Sequence, residues 1–322
     1  TFGDPVTIRA AGSGGTIEVN GQNTGSDDAT VTLTADGAGT TLSADVVTVG
    51  NAITITNGLT LGANVTLDTT NSGGEAAGAP ITFGDTIDAD AAANDRTLTL
   101  MAGTAGDITF TGVVGGSERP YTITIDSAND VTATTFTVGN LVQNAGSGTT
   151  TLNGALTTDL VAGVDLTGTA FTINDTVSTS NGGTVAITNS GALTIAAAAD
   201  MTLDGAFTQS GGGSVSTAGD ITTTGDTITF TNDVTLTGNV ALSTGAGAGT
   251  ITFSDTVDAT SAGTETLDLT AGTGNVSFVG AVGGSTRLGD LTIVSAADVT
   301  ASTTVTASAI DQQAGTGTTT FN

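Results

Sequence analysis

Apolar and polar residues alternate along most of this chain. TLTLMAG, DITFTG, YTITID, TITFTND, VTLTGN, VALSTG and TETLDLTA each set Val, Ile, Leu or Phe against Thr or another small polar residue. A period of two sends successive side chains to opposite faces, so each segment predicts a short strand with one buried face. Gly, Asn and Asp punctuate these segments roughly every six to ten residues. No stretch carries a persuasive 3.6-residue period. The nearest, ALTIAAAADM (Ala192–Met201), is short and reads equally well as strand, turn and strand.

The pattern is also written twice. GVVGGSERPYTITIDSANDVTA from Gly112 returns as GAVGGSTRLGDLTIVSAADVTA from Gly280, an offset of 280 − 112 = 168. ITFGDTID at Ile81 returns as ITFSDTVD at Ile251, and AGSGTTTLN, ending at Asn153, as AGTGTTTFN, ending at Asn322. DVVTVGNAITITN from Asp45 matches DITTTGDTITFTN from Asp220, and TFGDPV at Thr1 matches TINDTV at Thr172. Length differences fall in Gly-rich segments such as NSGGEAAGAP (Asn71–Pro80) against GAGAGT (Gly245–Thr250). The expected organisation is one continuous solenoid of two modules, 1–153 and 154–322, the first incomplete at its start. That frame reads as an excerpt from a longer array.

Short strands inside a long repeat leave two architectures, a solenoid or an array of sandwiches. Strands of three to six residues, tight turns and inward Val, Ile, Leu, Ala and Thr favour the solenoid. Sandwiches need longer strands and a larger aromatic core, whereas aromatic residues are 3 % of this chain. The expected fold is therefore all-β: a parallel β-helix forming an elongated rod of short strands. At about 21 residues and three strands per turn, each module holds about eight turns. With turns ~4.8 Å apart, the chain would extend roughly 70 Å.

Composition narrows the function. The chain has 322 residues, 48 Gly, no Cys, no His and no Trp. Gly, Ser, Asp and Thr are common in disordered chains, but 37 % hydrophobic residues in regular alternation argue for a folded state. A net charge of −27 repels phosphate backbones and anionic leaflets, which argues against nucleic-acid binding and membrane association. The charge favours solubility and calls for counter-ions, with calcium or high salt as candidates. No apolar run reaches membrane-spanning length. No basic, apolar leader opens the chain at Thr1, so it reads as a mature product or a fragment.

Catalytic chemistry finds little material. Without His or Lys, no base is available to activate Ser or Thr, and the sole tyrosine, Tyr121, is Gly289 in the second copy. Asp85, Asp88 and Asp90 form the one acidic cluster suited to paired-carboxylate work, but the second copy keeps only Asp255 and Asp258. Solvated turn residues are the preferred reading. The same five aspartates are the candidate calcium ligands, although the acidic nonapeptide and helical-loop calcium motifs are both missing. No cofactor other than calcium is expected.

Arg119 and Arg287 occupy equivalent positions after Gly-Gly-Ser. Each is a candidate contact to a neighbouring filament, or locally to Asp126 or Asp290, and the local reading is preferred. Asn153 and Asn322 are candidates for an inward amide ladder or a turn cap. TxT segments suggest comparison with flat ice-binding solenoids, but their spacing along the chain varies, which argues against one threonine row on one face.

TFTGVVGGSERPYTITI and SFVGAVGGSTRLGDLTI, each followed by AG(S/T)GTTT(L/F)N, resemble the repeat regions of giant bacterial surface proteins. These are the filamentous-haemagglutinin-like and autotransporter-type adhesins, and the resemblance covers most of the chain. It implies a right-handed parallel β-helix, export to the cell surface and a non-catalytic stalk or filament role. Expected partners are identical chains, head-to-tail or side by side, and a host or matrix surface. Glycan- or ice-binding modules and β-helix polysaccharide-degrading enzymes are the alternatives.

Overall fold

The computed structural model describes the backbone of residues 6–19, 23–24 and 30–322, and side chains for residues 30–34, 39–91 and 93–322. TFGDPV at Thr1 lies outside the described residues except for its last position. The chain divides into two compact units. Unit one runs to Thr158 and includes Leu166–Gly168; unit two holds Asp159–Asp165 and Thr169–Asn322.

Both units are all-β, built as parallel β-solenoids. One short 3₁₀ turn, Ala92–Asn94, is the only helix among the described residues, and no helix is long and apolar enough to cross a membrane. In unit two one turn comprises Leu193–Ile195, Met201–Leu203 and Phe207–Gly211. The next turn lays Val215–Thr217, Ile221–Thr223 and Ile228–Phe230 parallel to these three in order. Unit one repeats the scheme, with Ile53–Ile55, Leu59–Leu61 and Val65–Asp68 followed by Ile81–Phe83, Ile87–Ala89 and Thr97–Met101. The ambiguous stretch Ala192–Met201 is strand, turn and the start of a strand.

Most three-residue strands bury their first and third side chains and turn the middle one outward. Period-two alternation is thus converted directly into inside and outside. Turn length varies more than one fixed repeat would allow. Ile53 pairs with Ile81 across a long turn, whereas Val215 pairs with Val234 across a much shorter one. The difference sits in the corners, where Asn71–Ala77 bulges outward and is exposed.

The core is narrower than an aromatic-rich interior but contains more phenylalanine than the low aromatic content suggests. Among the described residues eight Phe side chains are fully buried. In unit one Phe83, Phe110 and Phe136 follow one another at centroid distances of 5.1 and 4.9 Å. In unit two Phe207, Phe230, Phe253 and Phe278 do so at 5.2, 5.5 and 5.4 Å. Strand spacing imposes the Phe83–Phe110, Phe230–Phe253 and Phe253–Phe278 distances, whose residues are register partners. Phe136 and Phe207 approach from other register positions, and all five distances suit ring–ring attraction. Each ring buried this way contributes about 1.5–3 kcal/mol.

Buried amides also run through unit two. The Gln209 amide nitrogen donates to Asn189 Oδ1 at 2.8 Å and to Asn232 Oδ1 at 3.2 Å. Gln209 Oε1 accepts the backbone N–H of Thr231 at 3.1 Å. An inward amide column therefore exists, but not at Asn153 and Asn322. Those two side chains are exposed, and their backbone N–H groups donate to Ala133 and Ala301 one turn below. Each ends an outward-facing alternation, which places it outside.

Candidate functional site

The five candidate aspartates divide among three duties. Asp85 and Asp255 each accept the N–H of the following threonine, at 2.8 and 2.9 Å, and so set the corner before the next strand. Asp88 accepts N–H groups from Ser117 at 2.7 Å and Glu118 at 3.2 Å. Asp258 accepts from Ser285 and Thr286, both at 2.9 Å. These donors belong to the repeated Gly-Gly-Ser loop one turn above, so the two copies hold that loop in the same way. The loop follows a single bridging residue, Val114 or Val282, where neighbouring turns have a strand. Its Gly115 and Gly283 have φ of 74° and 64°, and a Cβ there would meet Thr137 or Thr306 carbonyl oxygen at 1.9 or 2.0 Å.

Asp90 does something else. The Arg96 guanidinium donates to both its oxygens, at 2.8 and 2.7 Å, and the Asn94 amide donates at 3.0 Å. Arg96 first, then Asn94, hold the Asp90 carboxyl well below the usual carboxylate range. In the second copy Glu265 closes the same corner, accepting the Ser261 N–H at 3.0 Å. Among the described residues no three Asp or Glu side chains converge as a metal site.

Arg119 is half-buried and Arg287 exposed. The Arg287 guanidinium lies over Gly263 of the turn below, where a Cβ would come within 2.6 Å of Nη2. That is a contact between turns of unit two, made across bare glycine.

Two features escaped the sequence reading. The first is a recurring bond made on all three sheets by Asp and Asn residues placed just before strands. Asp107 Oδ1 accepts the Asp130 N–H at 3.1 Å, and Asp130 Oδ1 the Thr149 N–H at 2.7 Å. In unit two Asn275 accepts from Asp298 at 3.0 Å, and Asp298 from Thr318 at 2.7 Å. Asp45 with Thr66, and Asp220 with Ala241, repeat the bond at 2.7 Å each. A cleft of about 190 Å³ beside Asp220, Asn239 and Asp268 lies on the nine-stranded sheet, where Asn239 likewise accepts the Thr266 N–H at 3.1 Å. Acids that read as solvated turn residues instead accept the amide of the next turn. The Asp or Asn directly before I-T-F, V-T-A or V-S-F was the available signal.

The second is a threonine row. In unit one Thr32, Thr54, Thr82, Thr109, Thr132 and Thr151 stand in unbroken register on one sheet. In unit two Thr229, Thr252, Ser277, Thr300 and Thr320 form a second such row at the equivalent module positions, on a different sheet. Irregular spacing along the chain argued against such a row. The corners absorb the extra residues and leave the register intact, which corrects that expectation.

Comparison with known proteins finds no protein family, no curated protein and no solved structure that matches the chain.

Proposed function

We propose that the chain is a non-catalytic structural segment of a long extracellular β-solenoid, serving as an adhesin stalk or surface filament. One observation carries this reading: positions kept between the two copies include those that join one turn to the next. Asp88 and Asp258 hold the same loop, and Asp130 and Asp298 hold the same strand entry. Side chains committed to neighbouring turns suit a module whose contribution is length. Identical chains stacking end to end or laterally, and a host or matrix surface, are the partners this role implies. Nucleic acid and membrane insertion are not, given a charge of −27.

Immunogold electron microscopy on intact source cells tests the reading. Gold along surface filaments much longer than this chain is the expected result. Gold confined to lysed cells, or compact separate particles in the purified material, would overturn it.

A further inference from the structure

We propose that the threonine row of each unit is a binding surface for ice. The inference goes beyond the stalk reading and does not depend on it. Each row residue lies between two inward positions, and so faces outward from the sheet. Strand spacing sets neighbouring row residues ~4.7–4.9 Å apart, and the residues just past the strand ends add a second row beside them. In unit one that second row is Thr34, Thr56, Gly84, Thr111, Thr134 and Asn153.

The second row is held in place. Thr56 Oγ1 donates to the Leu33 carbonyl at 3.1 Å, and Thr111 Oγ1 to the Phe83 carbonyl at 2.8 Å. Thr231 repeats the bond to Gln209 at 3.0 Å in unit two. With its proton directed inward, the Thr111 hydroxyl offers lone pairs outward. Thr56 is shared among Leu33, Thr34 and Asn57, and Thr231 between Gln209 and Asn232. In each case the bonds hold the side chain and its methyl in place. The gap at Gly84 has its own cause, since a Cβ there would sit 2.6 Å from the Thr56 carbonyl oxygen. Register-stacked side chains also keep a sheet flat.

The chemistry of the row selects its ligand. A lone hydroxyl exchanges one water bond for another and gives a dissolved ligand almost nothing. Many weak contacts gain when the ligand is rigid and repeats at the same spacing, because later contacts form at no further cost in overall freedom. Neither row in unit one carries a charge, and a net charge of −27 repels anions. The flanking Asp107 and Asp130 already accept N–H groups of the next turn, which leaves cations only carboxylates that are already engaged. Neither row holds an aromatic side chain, so sugar rings find no stacking platform. A neutral, periodic lattice of hydrogen-bonding oxygens remains, which is crystalline water.

The test is partition of the full chain between a slowly growing ice front and the remaining liquid. Wild type is expected to concentrate in the ice. Thr109→Lys with Thr252→Lys interrupts both units' rows at outward-facing positions, and should lower the ice-bound fraction by about tenfold or more. Thr222→Lys lies on a different strand of unit two, outside the row, and should retain binding; circular dichroism melts establish that all three fold. Exclusion of wild type from ice, or equal enrichment of the paired variant, would overturn the proposal. Co-sedimentation with microcrystalline cellulose or chitin, together with exclusion from ice, would reassign the rows to a glycan.

Discussion

Asp88 and Asp258 show how one carboxylate acts on a whole corner. Each accepts two backbone N–H groups from a loop that its own strand also holds by backbone bonds. Asp88→Ala leaves both donors without that acceptor, and the loop can recover only part of the loss from water. The expected cost is about 1–3 kcal/mol, read as a lower urea midpoint with unchanged slope. Asp258→Ala should cost the same, and unequal values would show that the copies differ energetically. Asp90 predicts a pH effect. Its folded pKa lies below the ordinary carboxylate value, so its stabilisation is complete above about pH 4 and lost as pH falls through the folded value. The pair is partly exposed, 31 % at Asp90, so Asp90→Asn should cost less than ~1 kcal/mol at pH 7. Denaturant titrations at pH 7 and pH 2 should show the gap between wild type and variant shrinking with acid.

At the scale of strands and corners, contact between turns decides which glycine is replaceable. Gly213 lies against the turn below, and a Cβ there would sit 1.6 Å from the Gly191 carbonyl oxygen. Gly212, its neighbour, has nothing within 4 Å. Gly213→Ala should therefore cost about 1–3 kcal/mol in a thermal melt, and Gly212→Ala should fall within ~0.5 kcal/mol of wild type. This contrast also marks the limit of what alternation could convey. The strands themselves were legible, because Ile-Thr-Phe or Val-Thr-Ala needs only a period of two to declare inside and outside. The corners were not, because Asp107 and Asp130 look like any solvated turn acids until the next turn brings an N–H to them. Asn153 left a ladder and a turn cap both open for the same reason, since an amide in the sequence does not reveal whether its strand has one more inward position, and its exposure removes only the ladder. Phe230, Phe253 and Phe278, recurring at nearly equal intervals, were a readable sign of ring stacking.

For the molecule as a whole, charge is the property that solution conditions reach. A net −27 raises the free energy of any compact state through self-repulsion, so added salt should raise the melting temperature. Candidate calcium ligands make a sharper prediction. Asp88 and Asp258 already accept two N–H groups each, and Asp90 holds Arg96. Calcium and magnesium at equal ionic strength should therefore raise the melting temperature equally. A markedly larger effect of calcium would indicate a built site among these aspartates.

Corner length and strand register are uncoupled in this fold. The path from Val215 to its partner Val234 is far shorter than the path from Ile53 to its partner Ile81, and both ladders continue undisturbed. A foreign peptide grafted between Asn71 and Ala77 would hang from an already accommodated excursion. The same chain could thus serve as a display scaffold, with cargo added at its corners and no redesign of its walls.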